Sequence, residues 1–309
     1  MTFSARPPAK VNLTLEVGEP RDDGFHPLRS VFLRIGLSDR LTVRQADGER
    51  DVLAVGGPVA CPVEGNLVLR AASLLRQRAG LPLPSLAIEL EKHIPLGGGL
   101  AGGSSNAATT LELAAACWGI GLSAAVRLEL AAAVGSDVPF FISGAPVALV
   151  EGRGEHVRPL PGVRGRPGLL LVTPPLEIST VAAFARFDDL ASRGTGERET
   201  DELVAALEAG LDAGALAEWT PILRDANALW PAAVRLEPAL AELRDSLELA
   251  TGRAWAMTGS GSSLFTIYPS PDEAAEAGRR LAADLSGALA RARLYATDLA
   301  GPDPIWRQP

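Results

Sequence analysis

Through the first half of the chain, apolar and polar residues alternate in short runs. Val11, Leu13, Leu15 and Val17 alternate with Lys10, Asn12, Thr14 and Glu16, which predicts a strand over 10–17 with an ammonium and an amide on its polar face. Similar patterning predicts strands over 28–36, 40–46, 52–55 and 85–92 and around 145–151. A helical period takes over at 66–79, 104–118 and 123–133; in the second of these Ala107, Leu111, Ala114, Ala115 and Trp118 recur at steps of three and four. In the second half "GLLLVTP" reads as a strand, 201–217 and 232–249 as helices, and "RAWAMTG" and "SSLFTIY" as two strands around a glycine turn. A helix over 271–288 and a last strand in "ARLYATDL" complete a β-α-β-β-α-β order with extra helices inserted. The pattern therefore predicts two α+β domains with a cleft between them. The breaks in composition are "PGVRGRPG" at 161–168, read as a domain boundary, and "ASRGTGERETDE" at 191–202, read as a polar loop.

A chain of 309 residues has room for two such domains. Its net charge of −8 supplies no basic field for nucleic acid or an anionic membrane, although local backbone dipoles can still bind a small anion. Cys61 and Cys117 form no disulfide framework, and His26, His93 and His156 are too scattered for a zinc motif. Arg6, Lys10 and Glu16 interrupt the N-terminal segment, so it does not read as a signal peptide. The longest apolar stretch, Val138 to Val150, contains Gly144 and Pro146 and is too short to span a bilayer. These features lead us to expect a soluble, cytoplasmic protein.

The densest chemistry lies in "HIPLGGGLAGGSSNAA", His93 to Ala108. Glycine is costly to order, so Gly97, Gly98, Gly99, Gly102 and Gly103 imply unusual φ angles or a backbone that something approaches closely. Ser104, Ser105 and Asn106 stand where the next helix begins. A glycine loop feeding a helix N-terminus gathers free N–H groups and the positive end of a helix dipole, an arrangement suited to phosphate. A Walker A loop would need Lys then Ser or Thr after its last glycine, and Gly103 is followed by Ser104. Gly97, Gly99 and Gly102 satisfy G-x-G-x-x-G, yet the preceding segment alternates as a half-exposed strand, and no acidic residue stands out about 20 positions on.

The stretch P-L-G-G-G-L-A-G-G-S-S-N-A-A at 95–108 resembles the ATP-phosphate motif of the GHMP kinase superfamily. Other segments follow in family order. "PAKVNLTLEV" at 8–17 is similar to the first motif, "DDGFHPL" at 22–28 to a substrate segment, "GSDVPFFISG" at 135–144 to the segment bearing the catalytic aspartate, and "MTGSGSSLF" at 257–265 to the third motif. Taken locally, Lys10 and Asn12 read equally as a solvated strand face, and Asp137 as a turn aspartate. The branch most resembled phosphorylates cytidine diphosphate methylerythritol on the non-mevalonate route to isoprenoid precursors. "EISTVAAFARF" at 177–187 matches its substrate stretch loosely.

The resemblance implies a two-domain GHMP kinase fold: an N-terminal nucleotide-binding α/β domain over 1–160, a C-terminal ferredoxin-like α+β domain over 161–309, and the active site in the cleft between them. It implies ATP and Mg2+, with Pro95, Leu96, Gly97, Gly98, Gly99, Leu100, Ala101, Gly102, Gly103, Ser104, Ser105 and Asn106 around the nucleotide phosphates. Asp137 would act as base and Lys10, kept protonated by it, would stabilise charge. Asn12, Phe25, His26, Thr180 and Phe184 would bind a small-molecule substrate, cytidine diphosphate methylerythritol, with the base between Phe25 and Phe184 and His26 at its edge. No protein ligand of the metal emerges; neither nucleic acid nor membrane is expected as a partner, and the state is monomer or homodimer. Two departures stand out: Phe25 where the family has tyrosine, and "NALWPAA" from Asn227 where it shows N-D-L-E-P.

Overall fold

The structure, a computed structural model, describes residues 1–22, 24–190, 197–284, 292–300 and 306–308. The N-terminal half runs β1 (Thr2–Ala5), β2 (Pro8–Asn12), β3 (Glu16–Val17), β4 (Leu28–Ser38), β5 (Arg40–Ala46), β6 (Val52–Gly56), α1 (Leu67–Ala79), β7 (Ser85–Glu91), α2 (Gly102–Trp118), α3 (Ala124–Val134), α4 (Val138–Ser143), β8 (Val147–Gly152) and β9 (His156–Pro159). The remainder runs β10 (Gly168–Thr173), α5 (Thr180–Asp188), α6 (Glu197–Glu208), α7 (Ala213–Glu218), α8 (Thr220–Leu223), α9 (Trp230–Leu236), α10 (Ala239–Thr251), β11 (Ala256–Met257), β12 (Leu264–Tyr268), α11 (Pro271–Asp284), β13 (Arg293–Asp298) and β14 (Trp306–Gln308).

Three sheets organise these elements, in the orders β14-β1-β5-β7-β6, β2-β4-β8-β9 with β3 beside β4, and β11-β12-β10-β13. The last sheet is antiparallel throughout, and its strand order is that of the ferredoxin-like β-α-β-β-α-β unit. In the first sheet β7 pairs antiparallel with β5 and parallel with β6. Alternation along β5 works as the sequence suggests: Leu41 and Val43 are buried and join Leu75 of α1 and Leu111 of α2 in one core.

The strand β10 explains how the layers stack. Leu169 and Leu171 meet Val11, Leu33 and Ile35 of the β2-β4-β8-β9 sheet, while Leu170 and Val172 face Phe187, Leu243 and Trp255 on the other side. A strand covered on both faces needs apolar residues at consecutive positions, and this accounts for the unbroken run Leu169 to Val172. Full burial of such a side chain stabilises the fold by about 2 kcal/mol. A single apolar cluster therefore joins residues from before 150 and after 168.

Several predicted elements are divided. The strand expected over 10–17 stops at Asn12, and Leu15 pairs instead with Asn227. Thr14 bridges the break by accepting Val31 N–H at its side chain and the Ser30 hydroxyl at its carbonyl. The helix expected over 201–217 breaks around Gly210, whose φ is +93°, and restarts where Asp212 caps Ala215. That expected over 232–249 divides at Pro238, the position before which a helix normally ends. Of the polar loop expected at 191–202, residues 191–196 lie outside the described residues and 197–202 are helical in α6. The helix expected over 271–288 is described to 284. Helix α4, with Pro139 in its first turn, helices α5 and α8, and strands β1, β9 and β14 were not predicted.

Candidate active site

The phosphate-type loop joins β7 to α2 and is pinned from beneath. Lys10 N–H donates to the Leu100 carbonyl at 3.1 Å, and Lys10 Nζ donates to the Gly99 carbonyl at 2.9 Å. Gly99 has φ +73°, and a Cβ there would stand 2.1 Å from the Thr258 carbonyl oxygen. The position is closed to side chains because the 257–263 loop packs directly on it. Ala101, at φ +52°, is the one non-glycine among the described residues held in the left-handed region.

These contacts converge on a cavity of about 280 Å³ between the two halves. Lys10, Asn12 and Asp137 line it, with Gly97, Gly99 and Ala101 from the loop; Thr180 and Phe184 of α5 line it from the second half, with Gly259 and Ser260. Asp137 is held at the start of α4, its carboxylate 3.8 Å from Lys10 Nζ and its side chain 30% exposed. Lys10 also donates to Asn12 Oδ1 at 2.5 Å and lies 4.8 Å from the centre of the Phe32 ring. Burial lowers its pKa below the ordinary lysine value, with Asp137 opposing that shift in part. The carboxylate was expected to dominate; the near-complete removal of water outweighs it.

Asn12 is committed within the protein. Its Nδ2 donates to Ser30 Oγ at 2.9 Å, its Oδ1 also accepts from Thr258 Oγ1 at 3.2 Å, and its backbone N–H donates to Thr258 Oγ1 at 2.9 Å. Thr258, which sequence reading did not single out, thus ties strand β2 to the Gly99 loop. Asn227 braces the same loop through Nδ2, which donates to the carbonyls of Met257 and Gly259 at 2.9 and 3.0 Å. Ala228 and Leu229 are buried, and Trp230 stacks 3.5 Å from the Arg244 guanidinium carbon, so apolar packing fills a segment where acids were expected.

Other predicted residues point elsewhere. Asn106 Nδ2 donates to Asp39 Oδ2 at 2.9 Å, and that carboxylate also accepts from Lys92 Nζ at 2.6 Å. This buried ion pair anchors the base of the loop, and residues 53 positions apart offered no local signal of it. Leu100 is core, and Ser105 lines a different cavity. Phe25 is 48% exposed, outside the lining, with the Arg153 guanidinium carbon 3.7 Å from its ring centre. His26 is also outside it: Nδ1 lies 2.8 Å from the Gly18 carbonyl and Nε2 lies 3.3 Å from Asp188 Oδ1. Its ring centre is 5.3 Å from that of Phe184, so the histidine backs the aromatic wall of the cavity. Thr180 Oγ1 and Ser260 Oγ are 3.1 Å apart across that wall.

The arrangement offers a polarised backbone cradle, one buried ammonium and one accessible carboxylate in one space, the set required for moving a phosphoryl group onto a hydroxyl. No group of His, Cys, Asp or Glu side chains among the described residues is arranged to hold a metal unaided, and no helix among them is long and apolar enough to cross a membrane.

Comparison with known proteins agrees with this chemistry. The family described as GHMP kinases N terminal domain matches residues 66–145, and GHMP kinases C terminal matches 203–287. A 4-diphosphocytidyl-2-C-methyl-D-erythritol kinase of Symbiobacterium thermophilum is 39% identical over 273 residues, covering 88% of this chain and 92% of that protein. The enzyme of the same name from Nitrosomonas eutropha is 39% identical over 293 residues, covering 94% and 95%. A crystal structure of 4-(cytidine 5'-diphospho)-2C-methyl-D-erythritol kinase superposes with a TM-score of 0.73 at 32% identity, covering 96% of this chain and 99% of the other. Homoserine kinase from Cytophaga hutchinsonii shares the fold, with a TM-score of 0.68 at 17% identity over 99% of this chain and 97% of its own.

Proposed function

The chain belongs to the GHMP kinases and, among them, to the 4-diphosphocytidyl-2-C-methyl-D-erythritol kinases; on that premise we propose that it transfers the γ-phosphoryl group of ATP to the 2-hydroxyl of 4-diphosphocytidyl-2-C-methyl-D-erythritol, giving the 2-phosphate and ADP. The observation that carries the reading is the Lys10–Asp137 pair, 3.8 Å apart beside the Gly97–Ala101 backbone in one cavity.

The loop backbone and the N-terminal end of α2 hold the nucleotide phosphates. Asp137 accepts the proton of the attacking hydroxyl as its oxygen bonds to the γ-phosphorus and the bond to the leaving ADP oxygen breaks. Lys10, anchored by Gly99 and Asn12, stabilises charge on the transferred group. Asn12 acts through Lys10 by fixing the ammonium. When bound with ATP, Mg2+ would offset phosphate charge; in the cavity lining the one carboxylate that could hold it is Asp137.

On the acceptor side, Phe184 supplies the face for the cytosine and Thr180 a hydroxyl contact. His26 reaches the base edge through Nε2, exchanging the Asp188 carboxylate for it, and Phe25 contributes ring area at the rim. The reading includes a cytoplasmic location, where ATP is available. The test is ADP release from MgATP with and without the diphosphocytidyl substrate. Release that requires this substrate supports the reading; equal release without it, or release with mevalonate or homoserine instead, overturns it.

A further inference from the structure

A second chamber lies against helix α2, which follows the loop that lines the active cavity, and is built from other residues. It has a volume of about 180 Å³, is partly open to solvent, and is lined by Arg6, Arg34, Ser105, Ala108, Glu112 and Phe141, among others. Arg34 stands opposite Lys10 in the β2–β4 register, so the two spaces are neighbours along one strand pair.

Two features of this chamber call for a ligand. Arg34 is only 3% exposed, yet no carboxylate among the described residues lies within ion-pair distance of it. Its Nη2 donates to the Phe141 carbonyl at 3.2 Å and more weakly to that of Phe140 at 3.5 Å, and the two phenyl rings lie 5.5 and 5.9 Å from the guanidinium carbon. These dipoles offset part of the cost of burial, but Nε has no hydrogen-bond partner and burial pushes the pKa down to about 10. Ser105 Oγ, on the first turns of α2, is likewise buried without a partner.

A buried charge and a buried hydroxyl, both unsatisfied at one void, are costly in a folded chain. Water in the chamber would satisfy the donors but leave the positive charge uncompensated; a cation would meet two arginines. Glu112 is the one carboxylate in the lining, and it accepts from Arg127 Nε at 2.7 Å, which draws its charge into that pair. At about 180 Å³ the space is smaller than the active cavity of about 280 Å³ and is of a size to take one small oxyanion.

We propose that this chamber is a second oxyanion site, taking inorganic phosphate or the phosphate end of a small monoester between the Arg34 guanidinium and the Ser105 hydroxyl. The anion accepts hydrogen bonds from both groups and supplies the counter-charge that Arg34 lacks.

The experiment uses the full chain saturated with Mg2+ and a non-hydrolysable ATP analogue, so that the phosphate loop is occupied. Orthophosphate, and separately methyl phosphate, is titrated by calorimetry. One further equivalent of orthophosphate should bind. Ala108→Leu, which fills the chamber, and Arg34→Met, which removes its charge, should abolish that binding; circular dichroism verifies folding of both. Ser105→Ala should weaken it about tenfold, as expected for one hydrogen bond to a charged group. Comparable binding of methyl phosphate assigns the site to monoester ends, and orthophosphate alone assigns it to the free anion. No binding by the parent chain, or binding unchanged in Ala108→Leu and Arg34→Met, overturns the proposal.

Discussion

The two walls of the active cavity are made differently. The wall we assign to the nucleotide is backbone: Gly97, Gly99 and Ala101 present main chain, and Gly99 is packed so closely on Thr258 that no side chain fits. The wall we assign to the acceptor is side chain: Phe184 and Thr180 line it and His26 backs it. A backbone wall reads any triphosphate in the same way, whereas a side-chain wall can be altered one residue at a time. On the proposed assignment, reaction class and substrate choice are carried by different parts of one cavity.

That division is most severely tested at the junction of the walls. Asp137→Asn should lower kcat by roughly two to four orders of magnitude, the usual share of a general base, while leaving the KM for ATP little changed. A folded variant that retained most of its turnover would remove Asp137 from the base role.

On the backbone wall, Gly99→Ala should cost about 3 kcal/mol or more in unfolding free energy, because its Cβ would collide with the Thr258 carbonyl. Gly97→Ala sharpens the contrast: its φ is also positive, at +66°, but nothing lies within 4 Å, so only the left-handed strain of about 1 kcal/mol applies. Urea unfolding of the two variants gives the comparison, and equal losses would mean that the loops do not pack as described.

Lys10 links both walls and makes a prediction in pH. Its folded pKa lies below 10.5 because of burial, so above that lowered value the native chain binds fewer protons than the unfolded chain. Stability from this group therefore rises as pH climbs from the lowered value toward 10.5, while activity that needs the ammonium falls over the same window. The kcat/KM profile should show an alkaline limb below that of ordinary lysine, and Lys10→Met should abolish the corresponding rise in stability. A profile flat through 10.5 would be inconsistent with the charge role.

On the side-chain wall, Phe184→Ala should raise KM for the diphosphocytidyl substrate about tenfold through lost stacking, with KM for ATP unchanged. The smallest effect expected is that of Phe25→Tyr, which adds a hydroxyl where the family has tyrosine: a gain in substrate affinity of about two- to fivefold, read in the same assay. If either change acted chiefly on ATP, the two walls would not be separable.

What could be read in the sequence follows the same line. Backbone demands leave a local mark. Clustered glycines, alternating runs and the two-sided apolar strand of Leu169 to Val172 each follow from a constraint acting over a few neighbouring residues. They determined the loop, the helix after it, most strands and the ferredoxin-like order. The breaks at Gly210 and Pro238 were marked as clearly, by residues that end helices, and were passed over because the apolar period continued across them.

What only the tertiary structure decided is which side chains meet. Alternation placed Lys10 and Asn12 on a polar face that could equally have been solvated; the 257–263 loop and Asp137 make it the floor of a cavity. The serines and asparagine after the glycines were read as one phosphate-binding group, yet the helical rotation of about 100° per residue turns Asn106 to the Asp39–Lys92 pair and Ser105 to the second chamber. The surroundings of His26, the Gly18 carbonyl, Asp188 and Phe184, likewise follow from the fold alone. A chain specifies its local conformations through neighbours in sequence, but charge pairing, burial and the direction of a side chain depend on partners tens to hundreds of residues away.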